Sequence, residues 1–205
     1  EAALMLAGKL AHETGYHDEA AVHIRALLGL YPNSSYKAEA KTLFANLLAK
    51  TNNYEAAYRN LEDIDLNTAQ ARQTYQKVAY GYAIQQLQSG DIQQALLLLG
   101  KSLQYPADDA YRAVAAFWMG EIAYRMQQYD SAIAYASLFL DHIRDERRII
   151  HLSPLATRQN AYMTMGYAAL KQEQFDQAQA WFQQAQAAGG GSMTVIATLR
   201  EADAA

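Results

Sequence analysis

The stretch Gly15-Tyr16-His17-Asp18-Glu19-Ala20 decides the fold, because its pattern returns four more times along the chain. In each copy a turn-forming segment precedes an aromatic or apolar residue, and an alanine follows shortly afterwards. The other copies are Asn52-Asn53-Tyr54-Glu55-Ala56-Ala57, Ser89-Gly90-Asp91-Ile92-Gln93-Gln94-Ala95, Gln128-Tyr129-Asp130-Ser131-Ala132 and Gln174-Phe175-Asp176-Gln177-Ala178. The alanines at 20, 57, 95, 132 and 178 are therefore 37, 38, 37 and 46 residues apart. Such a period predicts a repeat architecture.

A second small residue stands twelve positions before each of these alanines. The five residues are Gly8, Ala45, Ala83, Gly120 and Gly166. Two small residues at a fixed offset indicate a helical hairpin, because a small residue on each helix lets the two backbones approach closely. One hairpin cannot bury its outer face alone, so we expect it to stack on the next one.

Composition favours the same class. Of 205 residues, 51% are hydrophobic, and only 3 are proline, so long helices remain unbroken. The formal net charge is −4 and no basic stripe stands out, which argues against nucleic-acid binding. Cysteine is absent, which excludes disulfides, thiolate catalysis and cysteine-based zinc sites. No apolar run approaches the roughly 18 residues of a membrane span, and the first residues lack the basic region of a signal peptide.

The repeat resembles the tetratricopeptide repeat (TPR), whose signature is W-x2-L-G-x2-Y, then A-x3-F, then P. The first copy fits this signature with Leu4, Ala7, Gly8, Ala11, Ala20, Ile24, Leu27 and Pro32. The fifth copy fits it with Tyr162, Met165, Gly166, Ala169, Ala178, Phe182 and Ala185. The signature tryptophan is missing and the period is a few residues longer. The resemblance covers nearly the whole chain and implies an all-α, right-handed α–α superhelix of stacked helix-turn-helix repeats.

Two shorter motifs resemble those of bacterial cell-envelope TPR scaffold proteins of the Tol–Pal-associated and outer-membrane-assembly types. They are the junction Tyr31-Pro32-Asn33-Ser34-Ser35-Tyr36-Lys37-Ala38-Glu39-Ala40 and the helix Phe117-Trp118-Met119-Gly120-Glu121-Ile122-Ala123-Tyr124. The resemblance implies a periplasmic or outer-membrane-associated protein, with a cytoplasmic location as the alternative.

The whole chain, 1–205, is predicted to form one array. Its repeats occupy about 1–34, 35–68, 69–108, 109–157 and 158–191, with a partial sixth repeat at 193–205. The predicted helix pairs are 2–14 and 17–30, 36–50 and 54–65, 70–88 and 92–104, 109–126 and 130–143, and 156–172 and 175–188. In the insertion at 144–155, we expect Arg144–Ile150 to prolong the preceding helix and Ser153-Pro154 to start the next.

The fifth repeat is predicted to end at Gly189-Gly190-Gly191-Ser192, since a glycine run stops a helix and permits left-handed backbone. We expect a native loop there, with an appended linker as the alternative. Because both ends fall abruptly within repeats, the chain is expected to be a piece of a longer protein.

No residue pattern indicates catalysis, a cofactor or a metal. The histidines do not form an HExxH motif or an i, i+4 pair, so we expect them to be solvent-facing or hairpin-packing residues; they are His12, His17, His23, His142 and His151. The acidic pairs Asp63/Asp65 and Asp108/Asp109 lack the glycine and glutamate of a calcium loop. The chain is therefore predicted not to be an enzyme.

The family resemblance also implies which side chains face the concave groove. In the first three repeats these are Met5, Lys9, His12, Glu13, Glu39, Thr42, Asn46, Lys50, Lys77, Tyr80, Ile84 and Gln88. In the last two they are Val114, Phe117, Glu121, Tyr124, Arg125, Asn160, Met163, Tyr167 and Lys171. The candidate partner-binding groove consists of Tyr80, Ile84, Phe117, Glu121, Tyr124, Arg125, Met163, Tyr167 and Lys171, because aromatic and arginine anchors dominate binding interfaces.

The predicted function is that of a protein–protein interaction scaffold. Its partner is a protein or peptide with apolar anchors bound in the groove, without nucleic acid and without membrane insertion. Met5, Tyr80 and Ile84 stand where a receptor for chaperone tails would place polar or basic groups, which disfavours that function. The first alternative is a structural spacer in which neighbouring repeats cover the aromatic residues. An enzyme is the more distant alternative, and would show a pocket with convergent polar groups.

Overall fold

The computed structural model describes residues 1–62, 64–189 and 200, and every regular element in them is an α-helix. The eleven helices of this part are α1 (Ala2–Glu13), α2 (His17–Leu30), α3 (Lys37–Lys50), α4 (Tyr54–Leu61), α5 (Ala69–Ser89), α6 (Ile92–Gln104), α7 (Asp109–Arg125), α8 (Tyr129–His142), α9 (Glu146–Leu152), α10 (Arg158–Lys171) and α11 (Phe175–Ala188). The prediction of an all-α fold is confirmed. The predicted partial repeat at 193–205 lies outside the described residues, apart from Arg200.

The helices group into two compact units, Glu1–Ala107 and Asp108–Ala205. In the first unit α1 pairs with α2, α3 with α4 and α5 with α6; α2 packs on α3, and α4 packs on α5. In the second unit α7 pairs with α8 and α10 with α11, while α10 packs on α8 and α9 on α7. Both units are thus built from stacked antiparallel helix pairs.

Each helix pair closes on the two small residues identified from the sequence. All ten are buried, and the alanines at 20, 45, 57, 83, 95, 132 and 178 have no exposed surface. In the last pair a Cβ atom built on Gly166 would lie 2.5 Å from the ring of the fully buried Phe182. Glycine is required there because a methyl group would displace the ring.

The turn inside each pair places one residue at positive φ, five positions before the second small residue. The five φ values are 88° at Gly15, 58° at Asn52, 88° at Gly90, 60° at Gln127 and 61° at Glu173. Glycine and asparagine tolerate this left-handed conformation, whereas glutamine and glutamate adopt it against a steric penalty of about 1–2 kcal/mol. The last two turns are therefore strained.

The insertion between the fourth and fifth repeats differs from the prediction. Arg144–Ile150 does not prolong α8, which ends at His142, and Pro154 does not start α10, which begins at Arg158. Instead, the Asp145 carboxylate accepts a hydrogen bond from the Arg148 backbone N–H at 3.2 Å and starts the separate helix α9. This N-cap offers the backbone an alternative to continuing the preceding helix.

Side-chain contacts hold α9 in place. The Arg148 guanidinium forms an ion pair with Asp108, whose side chain is buried, and Arg158 Nε donates to Glu146 Oε1 at 2.6 Å. Asp108 also caps α7 by accepting from the Ala110 backbone N–H at 2.9 Å. The insertion is thus fixed to the start of α7.

Two helix ends also differ from the prediction. Helix α4 is shorter than 54–65 because it ends at Leu61. Helix α11 ends at Ala188 as expected, but Gly189 is extended, with φ −134° and ψ −177°, rather than left-handed. The rest of the glycine run lies outside the described residues.

We predict that Glu173→Gly raises the free energy of unfolding of the second unit by about 0.5–1 kcal/mol, since glycine removes the left-handed strain at a smaller cost in chain entropy. Urea unfolding followed by the fluorescence of the two tryptophans, Trp118 and Trp181, measures this change. Glu173→Ala is the control. Because alanine keeps the left-handed strain, its free energy of unfolding should stay within about 0.5 kcal/mol of that of the unchanged chain. Equal stabilisation by both variants would contradict the explanation.

Candidate functional site

The second unit contains an open cavity of about 290 Å³ between α7 and α10. Helix α7 contributes one wall, α10 the other, and the segment after α9 contributes one apolar residue at the edge. The lining residues are Phe117, Trp118, Glu121, Tyr124, Arg125, Leu155, Asn160, Met163, Thr164 and Tyr167. Most of the lining is apolar or aromatic, which is the usual composition of a binding site.

Ring contacts fix the aromatic walls. Tyr124 and Tyr167 face each other with ring centroids 6.4 Å apart, and each also contacts a ring of the adjoining helix, Tyr129 at 5.9 Å and Phe182 at 5.4 Å. Deeper in the unit, Phe117 packs edge-on against the fully buried Phe139 at 5.3 Å. The rings are therefore held in place before any ligand binds, which lowers the entropic cost of binding.

The two facing tyrosines are only half-buried, so their edges reach the cavity. Burial raises the pKa of Tyr124 above its usual value, and Tyr129, Tyr167 and Glu121 raise it further. The phenol therefore stays protonated at neutral pH and keeps a hydroxyl donor. The face of Tyr167 accepts a cation, since the Arg200 guanidinium lies 5.9 Å from its ring centroid.

A short polar chain crosses the cavity from α7 to α10. The Thr164 hydroxyl donates a hydrogen bond to the Glu121 carboxylate. Its oxygen also lies 3.1 Å from the backbone carbonyl oxygen of Asn160. Asn160 Nδ2 in turn donates to the Leu155 carbonyl at 2.7 Å, and Thr157 caps α10 by accepting from the Asn160 N–H at 3.1 Å. These bonds join the insertion to the cavity wall.

Six of the nine predicted groove residues line this cavity: Phe117, Glu121, Tyr124, Arg125, Met163 and Tyr167. Phe117 and Met163 are only 4% exposed, so both belong to the packed floor. Lys171 is exposed at the end of α10 but does not line the cavity. Tyr80 and Ile84 lie on α5 in the other unit, and Tyr80 is 5% exposed, so its ring is a core residue.

Trp118, Leu155 and Thr164 line the cavity but were not predicted as groove residues. The family resemblance places Asn160 in the groove, although it is not one of the nine candidate residues, and it also lines the cavity. Trp118 lies within the aromatic helix motif at 117–124, so that motif could have indicated it as a cavity residue. The Nε1 atom of Trp118 is buried without a hydrogen-bond acceptor. Leu155 comes from the insertion, whose path no repeat pattern indicates.

The first unit contains a more polar cavity of about 280 Å³. Its lining residues are Met5, Lys9, His12, Glu13, Glu39, Leu43, Asn46 and Gln70. An ion pair of 2.5 Å between Lys9 Nζ and Glu39 Oε1 crosses it, with both side chains partly exposed. Because the lysine is already neutralised, this cavity lacks the open cationic clamp of a carboxylate receptor.

In residues 1–62, 64–189 and 200, no three or more histidine, cysteine, aspartate or glutamate side chains are grouped so that they could hold a metal ion. None of the helices there is both long and apolar enough to cross a membrane.

Comparison with known proteins supports the repeat fold. The model of the tetratricopeptide repeat matches residues 159–188, which cover α10 and α11. A crystal structure of MamA protein superposes with a TM-score of 0.54 at 18% identity, covering 90% of this chain and 88% of that one. A second MamA crystal structure gives 0.51 at 17% identity and covers 96% of both chains. No curated protein matches the sequence.

The family match and the two structures confirm the prediction of a TPR-type helical-repeat fold. The cell-envelope likeness stays a prediction, because none of these comparisons concerns the compartment.

We predict that Thr164→Val lowers the free energy of unfolding of the second unit by about 1 kcal/mol, because it removes the hydroxyl that donates to the half-buried Glu121 carboxylate. Thr164→Ser is the matched control and keeps the donor. Urea unfolding followed by tryptophan fluorescence compares the two variants. Because valine keeps the methyl group of threonine, a valine variant as stable as the unchanged chain would contradict the role of the hydrogen bond.

Proposed function

We propose that this protein is a protein–protein interaction scaffold that holds a partner peptide in the cavity between α7 and α10. One observation carries the proposal: the cavity is open and aromatic, and its two facing tyrosines are only half-buried although rings on both adjoining helices hold them in place. Tyrosine, tryptophan and arginine are the residues most often found at binding hot spots. The TPR-type fold of the chain is in keeping with such a role.

The size of the cavity limits what it accommodates. A volume of about 290 Å³ is at the lower limit of pockets for small ligands, which begin near 300 Å³. The ligand we infer is therefore a peptide that places one apolar or aromatic side chain between Tyr124 and Tyr167. The rest of the peptide would lie along α7, within reach of Glu121 and the exposed Arg125.

A structural spacer remains the alternative function, and the burial of Phe117, Met163 and Tyr80 favours it. These side chains stabilise the units and offer little surface to a partner. The spacer hypothesis does not account for Tyr124 and Tyr167, whose side chains are only half-buried at an open cavity. Binding at those two residues therefore distinguishes the two functions.

The compartment we propose is the bacterial cell envelope, periplasmic or outer-membrane-associated, on the strength of the two motifs alone. In the structure, the helix motif contributes four cavity residues, Phe117, Trp118, Glu121 and Tyr124. Packing and binding at the cavity would therefore explain the helix motif in any compartment. A cytoplasmic location remains the alternative. Fractionation of the native cells, with an antibody against this chain, tests the proposal; recovery with the cytosol alone would refute it.

Panning a phage-displayed library of random dodecapeptides against the chain tests the proposed function. We expect selected peptides to share an aromatic or large aliphatic residue. One selected peptide is labelled with a fluorophore, and its affinity is measured by fluorescence anisotropy. Tyr124→Ala and Tyr167→Ala should each weaken its binding about 10-fold, as loss of a hot-spot residue does. Phe175→Ala is the control, because this residue is 50% exposed in the same unit but does not line the cavity.

A control variant that binds the peptide about as tightly as the unchanged chain places the site in the cavity. Equal loss in all three variants, or no enriched peptide, would refute the proposal and favour the spacer. Circular dichroism must first show that each variant keeps its helical content.

A further inference from the structure

The indole of Trp118 carries a hydrogen-bond donor that the fold leaves unused. Trp118 lies on α7, its side chain is half-buried, and it lines the open cavity of the second unit. Its Nε1 atom is nevertheless shielded from solvent and has no hydrogen-bond acceptor among the described residues. An indole nitrogen only donates, so an acceptor is what this group lacks. The free chain therefore bears a desolvation cost at this atom.

Two polar side chains of the α10 wall already have partners within the chain. The Thr164 hydroxyl donates to the Glu121 carboxylate, and Asn160 Nδ2 donates to the Leu155 carbonyl oxygen at 2.7 Å. A ligand that used these donors would have to break a bond that stabilises the cavity. Trp118, on the α7 wall, presents a donor that a ligand can satisfy without such a loss.

The charge beside Trp118 limits which acceptor fits. Glu121 follows three residues later on α7, so the two side chains are neighbours on the helix surface. A second carboxylate placed at the indole would be repelled by the Glu121 carboxylate. Arg125, which would attract a carboxylate, lies about two helical turns from Trp118. The acceptor that suits this donor is therefore neutral, and a backbone carbonyl is the neutral acceptor that every residue of a peptide supplies.

We propose that Trp118 positions the partner peptide by donating a hydrogen bond from Nε1 to one of its backbone carbonyl oxygens. This inference rests on the proposed function, since it names the contact by which the same cavity holds the peptide backbone. An apolar side chain of the peptide lies between Tyr124 and Tyr167, and a nearby carbonyl accepts from the indole. The donor is unpaired in the free chain and paired in the complex, so binding gains this bond without losing another.

A turn of the indole brings its shielded N–H to the ligand. The torsion between Cβ and an aromatic ring is broad, so a modest rotation costs little. Phe117 contacts the indole edge-on, with ring centroids 5.6 Å apart, and the adjoining cavity of about 290 Å³ offers space for the movement. The bond formed with the carbonyl offsets the cost of the rotation.

Nuclear magnetic resonance observes this donor directly, because the chain has only two tryptophans, Trp118 and Trp181, and hence two indole N–H signals. The full chain is isotopically labelled at nitrogen, and the spectrum of Trp181→Phe assigns the signals. A cavity-binding peptide with an aliphatic anchor is then added, so that no aromatic ring of the peptide shifts them. We expect the Trp118 indole proton to move downfield and to exchange more slowly with solvent, as a newly hydrogen-bonded proton does.

Trp118→Phe removes the N–H and keeps an aromatic ring. We expect this variant to bind the labelled peptide about 5-fold more weakly in fluorescence anisotropy, which corresponds to the loss of one hydrogen bond. Trp181→Phe is the matched control, because Trp181 is half-buried on α11 of the same unit and does not line the cavity. Its affinity should change less than about 2-fold. Urea unfolding followed by circular dichroism should show similar stability for both variants, since neither removes a hydrogen bond that Trp118 makes in the free chain.

A change in the peptide separates the hydrogen bond from a loss of contact area. Each backbone amide of the peptide is replaced in turn by an ester, whose carbonyl oxygen is a weaker acceptor. N-methylation of the same amide is the control, because it also removes the N–H but keeps an amide carbonyl. We expect one ester to weaken binding about 3-fold to the unchanged chain and not to Trp118→Phe, as a double-mutant cycle requires for a direct contact. The matching N-methyl peptide should not show this difference between the two chains.

The outcomes distinguish this inference from the proposed function. A peptide that binds in the cavity but leaves the Trp118 signal in place would overturn the role of the indole and leave the binding site intact. Equal loss of affinity in Trp118→Phe and Trp181→Phe, or ester effects that persist in Trp118→Phe, would overturn it as well. Undiminished binding by Tyr124→Ala and Tyr167→Ala would instead refute the cavity as the binding site, and the role of Trp118 with it.

Discussion

Close contact between two small residues is the constraint on which this structure depends. Wherever a glycine or alanine of one helix meets an alanine of its partner, the backbones come near enough for the surrounding large side chains to close over them. In the last pair Phe182 lies directly over Gly166, leaving no room for a methyl group. The turn is constrained in the same way, because the return of the chain requires a left-handed residue five positions before the second small residue.

Once the backbones are set by this contact, the other faces of the helices can vary. The residue after the first small position shows this variation from pair to pair: Lys9, Asn46, Ile84, Glu121 and Tyr167. The first unit therefore has a polar cavity crossed by an ion pair, while the second has an aromatic one crossed by a threonine–glutamate hydrogen bond. The two units thus contain cavities of different chemistry.

The insertion between the fourth and fifth repeats shows how a departure from the repeat contributes to a site. Asp145 starts a separate helix, and Arg148 attaches that helix to Asp108 at the start of α7. The chain then returns past the cavity, where Leu155 becomes a lining residue and its carbonyl accepts from Asn160. The extra residues therefore complete the wall of the cavity as well as connecting two helix pairs.

The sequence by itself determined the helical class and the helix pairs, which follow from small residues and turn segments at fixed spacing, whose effects act within one hairpin. Six of the ten cavity residues came from the family resemblance. Only the tertiary structure decided that Tyr80, Phe117 and Met163 are packed in the interior while Tyr124 and Tyr167 remain half-open. It also decided the path of the insertion and the contacts of the His17 ring with His12 and Lys50. The physical reason is that burial and charge contacts depend on which side chains of separate helices face each other, and the repeat period does not specify that.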